Sequence, residues 1–180
     1  MSHFSVAVFH TADQSVDDLL APYNENLEVE KYVRYTKQEA IARARELRSM
    51  KDASDDECWE YWAEDYEPEM IDEEGNLYST YNPDSRWDWY EVGGRWNGLL
   101  EVNGMKKNSA RLNDVQNLER ILTFAVITRD GKWHAKGKMG WFGMSDATAE
   151  EELRWAENYQ KQFMAGAEDD LFVTIVDCHI

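Results

Sequence analysis

A chain of 180 residues, 43% of them hydrophobic, is long enough to bury a core without disulfide staples, and its two cysteines follow no CxxC or zinc spacing. Its formal net charge of −17 repels nucleic-acid phosphate, which argues against direct nucleic-acid binding. No apolar run reaches bilayer-spanning length, and the start MSHFSVAVFHTADQ lacks the basic stretch and cleavage site of a secretory leader, so a soluble protein of a reducing cytoplasm with no membrane partner is expected.

In chain order, Phe4, Val6 and Val8 alternate with other residues, while Ala7 and Phe9 make the run apolar on both faces, which predicts a central strand. A short helical turn ending at Ala21-Pro22 follows. Leu27 to Tyr35 sets Val29, Lys31, Val33 and Tyr35 against Glu28, Glu30, Tyr32 and Arg34, the pattern of a half-exposed strand. Thr36-Lys37-Gln38-Glu39 is a capping box opening a helix to about Met50, with Ala40, Ile41, Ala44 and Leu47 as its apolar stripe. Ser54-Asp55-Asp56-Glu57 repeats the box and opens a second helix with Trp59, Trp62 and Tyr66 inward. Its outer face is acidic: the segment from Lys51 to Glu74 carries twelve carboxylates against a single lysine. That acid reads either as a solvated face or as a dock for a basic partner. Met70-Ile71 and Leu77 to Tyr81, joined through Asp72 to Asn76, predict a hairpin.

The stretch YNPDSRWDWYEVGGRWNGLL, Tyr81 to Leu100, concentrates rings, charges and paired glycines. Asn82-Pro83-Asp84-Ser85 is turn chemistry. If Arg86 to Val92 is extended, Trp87, Trp89 and Glu91 share one side and Arg86, Asp88, Tyr90 and Val92 the other. Gly93-Gly94 permits positive φ or a close approach, and Arg95 and Trp96 follow. One reading is an aromatic and arginine pocket; the other is a core hairpin whose tryptophans pack inward and whose Arg86, Asp88 and Arg95 form ion pairs.

Gly98 to Val102 predicts a strand ending at the Asn103-Gly104 turn, and Met105 to Asn117 a surface excursion with a turn of helix near Asp114. Ile121 to Thr128 and Trp133 to Lys136 form a second hairpin around Arg129 to Lys132. Gly137 to Met144 is a glycine-punctuated loop that either plugs the core with Trp141 and Phe142 or lines a pocket with Lys138 and Trp141. Ser145 or Thr148 caps the last helix, with Leu153, Ala156, Tyr159 and Phe163 inward and an end near Gly166. Leu171 to Val176 is an almost continuous apolar strand, expected beside the first in the middle of the sheet. The expectation is an α+β fold: one domain over residues 1–180, a mostly antiparallel sheet with helices packed on it, and the acidic helical segment 52–74 within it.

Five pieces of the chain, Ser2-His3-Phe4, Leu20 to Glu25, Asn82 to Tyr90 with Gly93-Gly94-Arg95-Trp96, Met139 to Gly143, and Asp177-Cys178-His179, resemble a family of small uncharacterised proteins common in the genomes of tailed bacteriophages. The resemblance implies an accessory role in the host cytoplasm, with a possible part in counter-defence. It supplies no reaction.

No Walker loop, GxGxxG, GxSxG or HExxH is present in the sequence. Three functional readings remain. In the first, Arg86, Trp87, Asp88, Trp89, Tyr90, Arg95, Trp96, Lys138 and Trp141 bind a small anionic or nucleotide-like ligand, indoles stacking on the ring and guanidinium pairing with phosphate. In the second, the acidic segment docks on a basic host protein. In the third, an enzyme works through Asp88, His134 or Asp177 and His179. The last pair share a strand face that His3 or His10 joins if the first and last strands are neighbours, while Cys178 points the other way. Strand-end polar residues with purely structural partners are the plain alternative, and the balance leans away from an enzyme. No cofactor or metal is expected.

Overall fold

The computed structural model describes residues 2–47, 50–140, 143–164 and 170–180. It divides the chain into two compact units, Met1–Leu27 with Asn82–Ile180, and the inserted Glu28–Tyr81. The fold is α+β, with a mostly antiparallel sheet and helices packed on it.

The larger unit is built on two eight-residue strands, β1 (His3–His10) and β10 (Phe172–His179), paired antiparallel along their whole length. Their interior positions are buried on both faces, because the runs SVAVF and VTIVDC offer an apolar or small side chain on either side. Between β1 and β10 in sequence come β4 (Trp89–Val92), β5 (Leu100–Val102), β6 (Met105–Lys107), β7 (Ser109–Arg111), β8 (Ala125–Ile127) and β9 (Trp133–Ala135). The sheet order is β4-β10-β1-β8-β9, with β7 also pairing β10, and the β1–β8 pairing is parallel. The first and last strands are therefore central, as the double-faced apolar pattern predicts.

One face carries Ala7, Phe9, Val173 and Ile175 and is covered by α4 (Ala149–Tyr159), which runs on into a π-helical turn, Gln160–Met164. Thr148 caps α4 with a complete capping box to Glu151. Of the four residues expected inward from the last helix, Tyr159 and Phe163 are buried, but Leu153 is 65% exposed and Ala156 is exposed, and Trp155 joins the two rings on the core side at intervals of four. The large rings take the buried phase because they remove more apolar area from water than Leu153 and Ala156 could. The expected helix end near Gly166 lies outside the described residues.

The other face carries Phe4, Val6, Val8, Val176 and Cys178 and packs against α1 (Val16–Leu20) and Trp87. Met105 to Asn117, expected as a surface excursion, contributes β6 and β7 and buries Leu112 and Val115. Its three-residue strands are too short for a period-two signal to stand out.

In the inserted unit, β2 (Glu28–Tyr35) pairs antiparallel with β3 (Leu77–Tyr81), and α2 (Lys37–Leu47) packs on α3 (Asp55–Ala63) through Ile41, Ala44 and Cys58. Residues 48 and 49, over which the first helix was expected to continue, lie outside the described residues. Register shifts in β2 break its alternation, so Val33 is exposed while Val29, Tyr32 and Tyr35 are half-buried. The expected hairpin with Met70-Ile71 reduces to a single bridge, Ile71 to Leu77, and the main partner of β3 is β2.

Candidate functional site

Antiparallel pairing sets His3 opposite His179 and Ser5 opposite Asp177, so that four polar side chains share one face at the end of the two central strands. His3 Nδ1 lies 2.9 Å from Asp177 Oδ1, and His179 Nδ1 lies 2.7 Å from Asp88 Oδ1. The two imidazoles meet edge to face, centroids 5.0 Å apart. Two Asp–His couples thus sit side by side, built from three separate stretches of chain.

The couples are held by backbone. Asp88 N–H donates to His179 O at 3.0 Å, which ties the residue before β4 to the last strand. Arg95 N–H donates to Asp177 Oδ2 at 3.0 Å, so the carboxylate oxygen not used by His3 is also occupied. That approach needs the double glycine. Gly94 has φ +45°, and a Cβ there would stand 2.6 Å from Asp177 Oδ2. Asp177 is 2% exposed and His179 8% exposed.

In the neutral imidazole that donates to its carboxylate, the proton sits on Nδ1 and the lone pair on Nε2. His179 Nε2 is buried without a hydrogen-bond partner among the described residues. His3 Nε2 also has none among the described residues, and His3 lines a cleft of about 410 Å³. Trp96, Phe124 and Trp155 supply ring walls to that cleft, and Ser5, Lys136 and Glu152 its polar groups. Trp155 Nε1 is anchored on Thr123 O at 2.9 Å. Lys136 Nζ lies 2.6 Å from Glu152 Oε1 and over the Phe124 ring.

The residues expected to form an aromatic and arginine pocket are distributed. A bend at Asp88 breaks the extended run, so Trp87 and Tyr90 fall together, centroids 5.1 Å apart, on the face opposite Asp177. Trp87 is 6% exposed, with Nε1 donating to Leu20 O at 3.1 Å. Tyr90 hydroxyl donates to Asp17, and burial with that bond pushes its pKa far above the ordinary tyrosine range. Trp89 is 51% exposed, its ring 6.4 Å from that of His179. Arg86 Nη1 donates to the Ser85 carbonyl at 2.7 Å, and neither it nor the exposed Arg95 pairs with a carboxylate among the described residues. Asp88, expected to pair with arginine or a ligand, pairs with histidine. Of the nine residues, Trp96 lines the cleft. Lys138 is exposed, and Trp141 lies outside the described residues.

His134 packs on Phe163 beneath α4, and His10 bonds Thr174 Oγ1 at 2.9 Å, so neither joins the two couples. Cys178 points to the opposite face, where burial, with Asp177 adding, pushes its thiol well above the ordinary range. Among the described residues no three His, Cys, Asp or Glu side chains come together to hold a metal ion. Trp155, Phe124, Lys136 and Glu152 were missed in the sequence. Only Trp155 left a local trace, four residues before Tyr159 on a capped helix. No known protein family, characterised protein or solved structure matches the chain.

Proposed function

We propose that this chain is an accessory protein of a tailed bacteriophage, acting in the host cytoplasm, that binds a small anionic, ring-bearing ligand such as a nucleotide in the cleft beside His3. The observation that carries the binding reading is the convergence of the Trp96, Phe124 and Trp155 rings with Lys136 and His3 on an opening of about 410 Å³, within the range of small-molecule sites. An indole face accepts a ring, Lys136 meets the negative charge, and Glu152, its ion-pair partner, is left to accept a ring amine or sugar hydroxyl. The phage role rests on the motif resemblance, and sequestering a host signal molecule would serve counter-defence. No helix of the described residues is long and apolar enough to cross a membrane.

The test is native mass spectrometry of protein purified from infected cells, with tryptophan quenching by adenosine monophosphate on the purified chain. Lys136→Ala is expected to weaken binding by about tenfold, the loss of one charge-assisted contact. No retained molecule together with no quenching would sink the reading. One observation keeps a second reading open. Every acid from Asp52 to Glu74 except Asp72 is exposed, so this segment can dock on a basic host protein. Reversing the charge of Asp56, Glu60 and Glu64 would then abolish co-purification of that protein and leave nucleotide binding intact.

A further inference from the structure

We infer that the cleft is catalytic: His3 acts as general base in the hydrolysis of a small, ring-bearing phosphodiester, with Asp177 as its positioning residue. The inference rests on the binding reading above and adds a reaction to it. His3 is the one residue that belongs both to an Asp–His couple and to the cleft lining. Its Nδ1 is fixed by Asp177 Oδ1 at 2.9 Å, and the other carboxylate oxygen is fixed by the Arg95 amide at 3.0 Å, so the ring is held from behind by a group that cannot swing away. The His179 ring braces its side at 5.0 Å, and His179 is itself held by Asp88. What remains for chemistry is the Nε2 lone pair, the atom a general base needs.

Other nucleophiles nearby are spent or suppressed. Ser5 Oγ accepts from Phe124 N–H at 3.2 Å and makes no hydrogen bond to His3, and the Cys178 thiol is on the other face. Water is therefore the attacking group. His3 Nε2 takes a proton from a water molecule as its oxygen bonds to phosphorus. The bond from phosphorus to the leaving oxygen breaks on the side away from the attacking water, that oxygen takes its proton from solvent, and the imidazolium returns its own proton to solvent. One water is consumed, a diester becomes a monoester and an alcohol, and no oxidation state changes. The charges around the cleft select the diester. Lys136 is already paired with Glu152 at 2.6 Å, so a monoanion enters at less electrostatic cost than the dianion of a monoester.

The probe is bis(4-nitrophenyl) phosphate, a monoanionic aryl diester, with release of nitrophenolate followed in the presence of EDTA. The wild-type chain is expected to hydrolyse it, and His3→Gln to lower kcat at least 100-fold with KM within about threefold. His3→Ala is expected to regain turnover on addition of imidazole, which a misfolded chain would not. Asp177→Asn is expected to lower kcat about tenfold or more with KM held, and His134→Gln to leave turnover unchanged. Hydrolysis that survives in both His3→Gln and Asp177→Asn overturns the inference, as does wild type that quenches with the probe yet releases no nitrophenolate. That second outcome leaves ligand binding standing. Absence of binding by both the probe and adenosine monophosphate removes the two readings together.

Discussion

Gly94 and Asp177 lie far apart in sequence and are fitted to each other at the level of single atoms. At φ +45° and with the carboxylate against its missing side chain, Gly94 tolerates no Cβ without a shift of the strand end that carries the site. Gly94→Ala is expected to lose about 2 kcal/mol or more in urea unfolding, the sum of a left-handed conformation and a clash. A loss below about 0.5 kcal/mol would show that the Arg95 amide is not seated as described. Tyr159 offers a pH readout. Thr123 donates its one hydroxyl proton to Ala125 O at 2.7 Å, so the Tyr159 hydroxyl donates to Thr123 Oγ1 at 2.6 Å. Burial pushes the Tyr159 pKa from 10.0 up to about 12. Between those values the unfolded chain has released a proton that the folded chain still holds, so stability is full below pH 10 and falls as pH rises toward 12. The alkaline loss is expected to be shallower in Tyr159→Phe, by up to about 2 to 3 kcal/mol, and an unchanged slope would contradict it.

Among the elements, α4 shows how a pattern is read correctly at one end of a helix, at Tyr159 and Phe163, and misread at the other, at Leu153 and Ala156. The Thr148 and Glu151 capping box is complete, and Thr148→Ala is expected to cost about 1 kcal/mol in thermal or urea unfolding. Leu153 and Ala156 were expected to share the inner face with Tyr159 and Phe163, yet it is Trp155 that joins those two in a ring ladder with centroids 5.6 Å apart or closer. Leu153→Ala is therefore expected to change stability by no more than about 0.5 kcal/mol, and Trp155→Ala to cost about 3 kcal/mol or more. Equal effects would return Leu153 to the inner face. The bend at Asp88 teaches the same lesson for strands. Alternation put Trp87 with Trp89, but the bend sends Trp87 to the core with Tyr90 and frees Asp88 to reach His179.

For the whole molecule, the inserted unit begins and ends at Glu28 and Tyr81, which are paired partners across β2 and β3. Because its entry and exit are adjacent, replacing residues 28–81 by a short Gly-Ser linker is expected to leave the larger unit folded, with its own sheet and both faces covered. Loss of near-ultraviolet circular dichroism from its tryptophans on excision would contradict this. Within the larger unit the five motif pieces meet. Arg86 N–H donates to Tyr23 O at 2.7 Å, Glu25 N–H to Trp87 O at 2.8 Å, and Ser2 Oγ to Gly140 O at 2.8 Å, while Asp88 and Arg95 reach the terminal Asp-Cys-His. Much of the tryptophan motif is thus a structural clasp around the Asp–His couples.

From the sequence alone followed what a few neighbouring residues settle among themselves: the capping boxes at Thr36 and Ser54, the buried character of the first and last strands, the turns at Asn82 and Asn103, and the shared face of Asp177 and His179. These signals are local hydrogen bonding and side-chain periodicity, which act within a turn or a strand. Which strands became neighbours was decided only by tertiary structure, and with it the pairing of His3 with Asp177 and of Asp88 with His179 and the gathering of the cleft walls. Those contacts join residues up to 174 positions apart, and they exist because the sheet buries both faces of β1 and β10 against each other's flanks, a balance of whole surfaces that no short stretch of chain encodes.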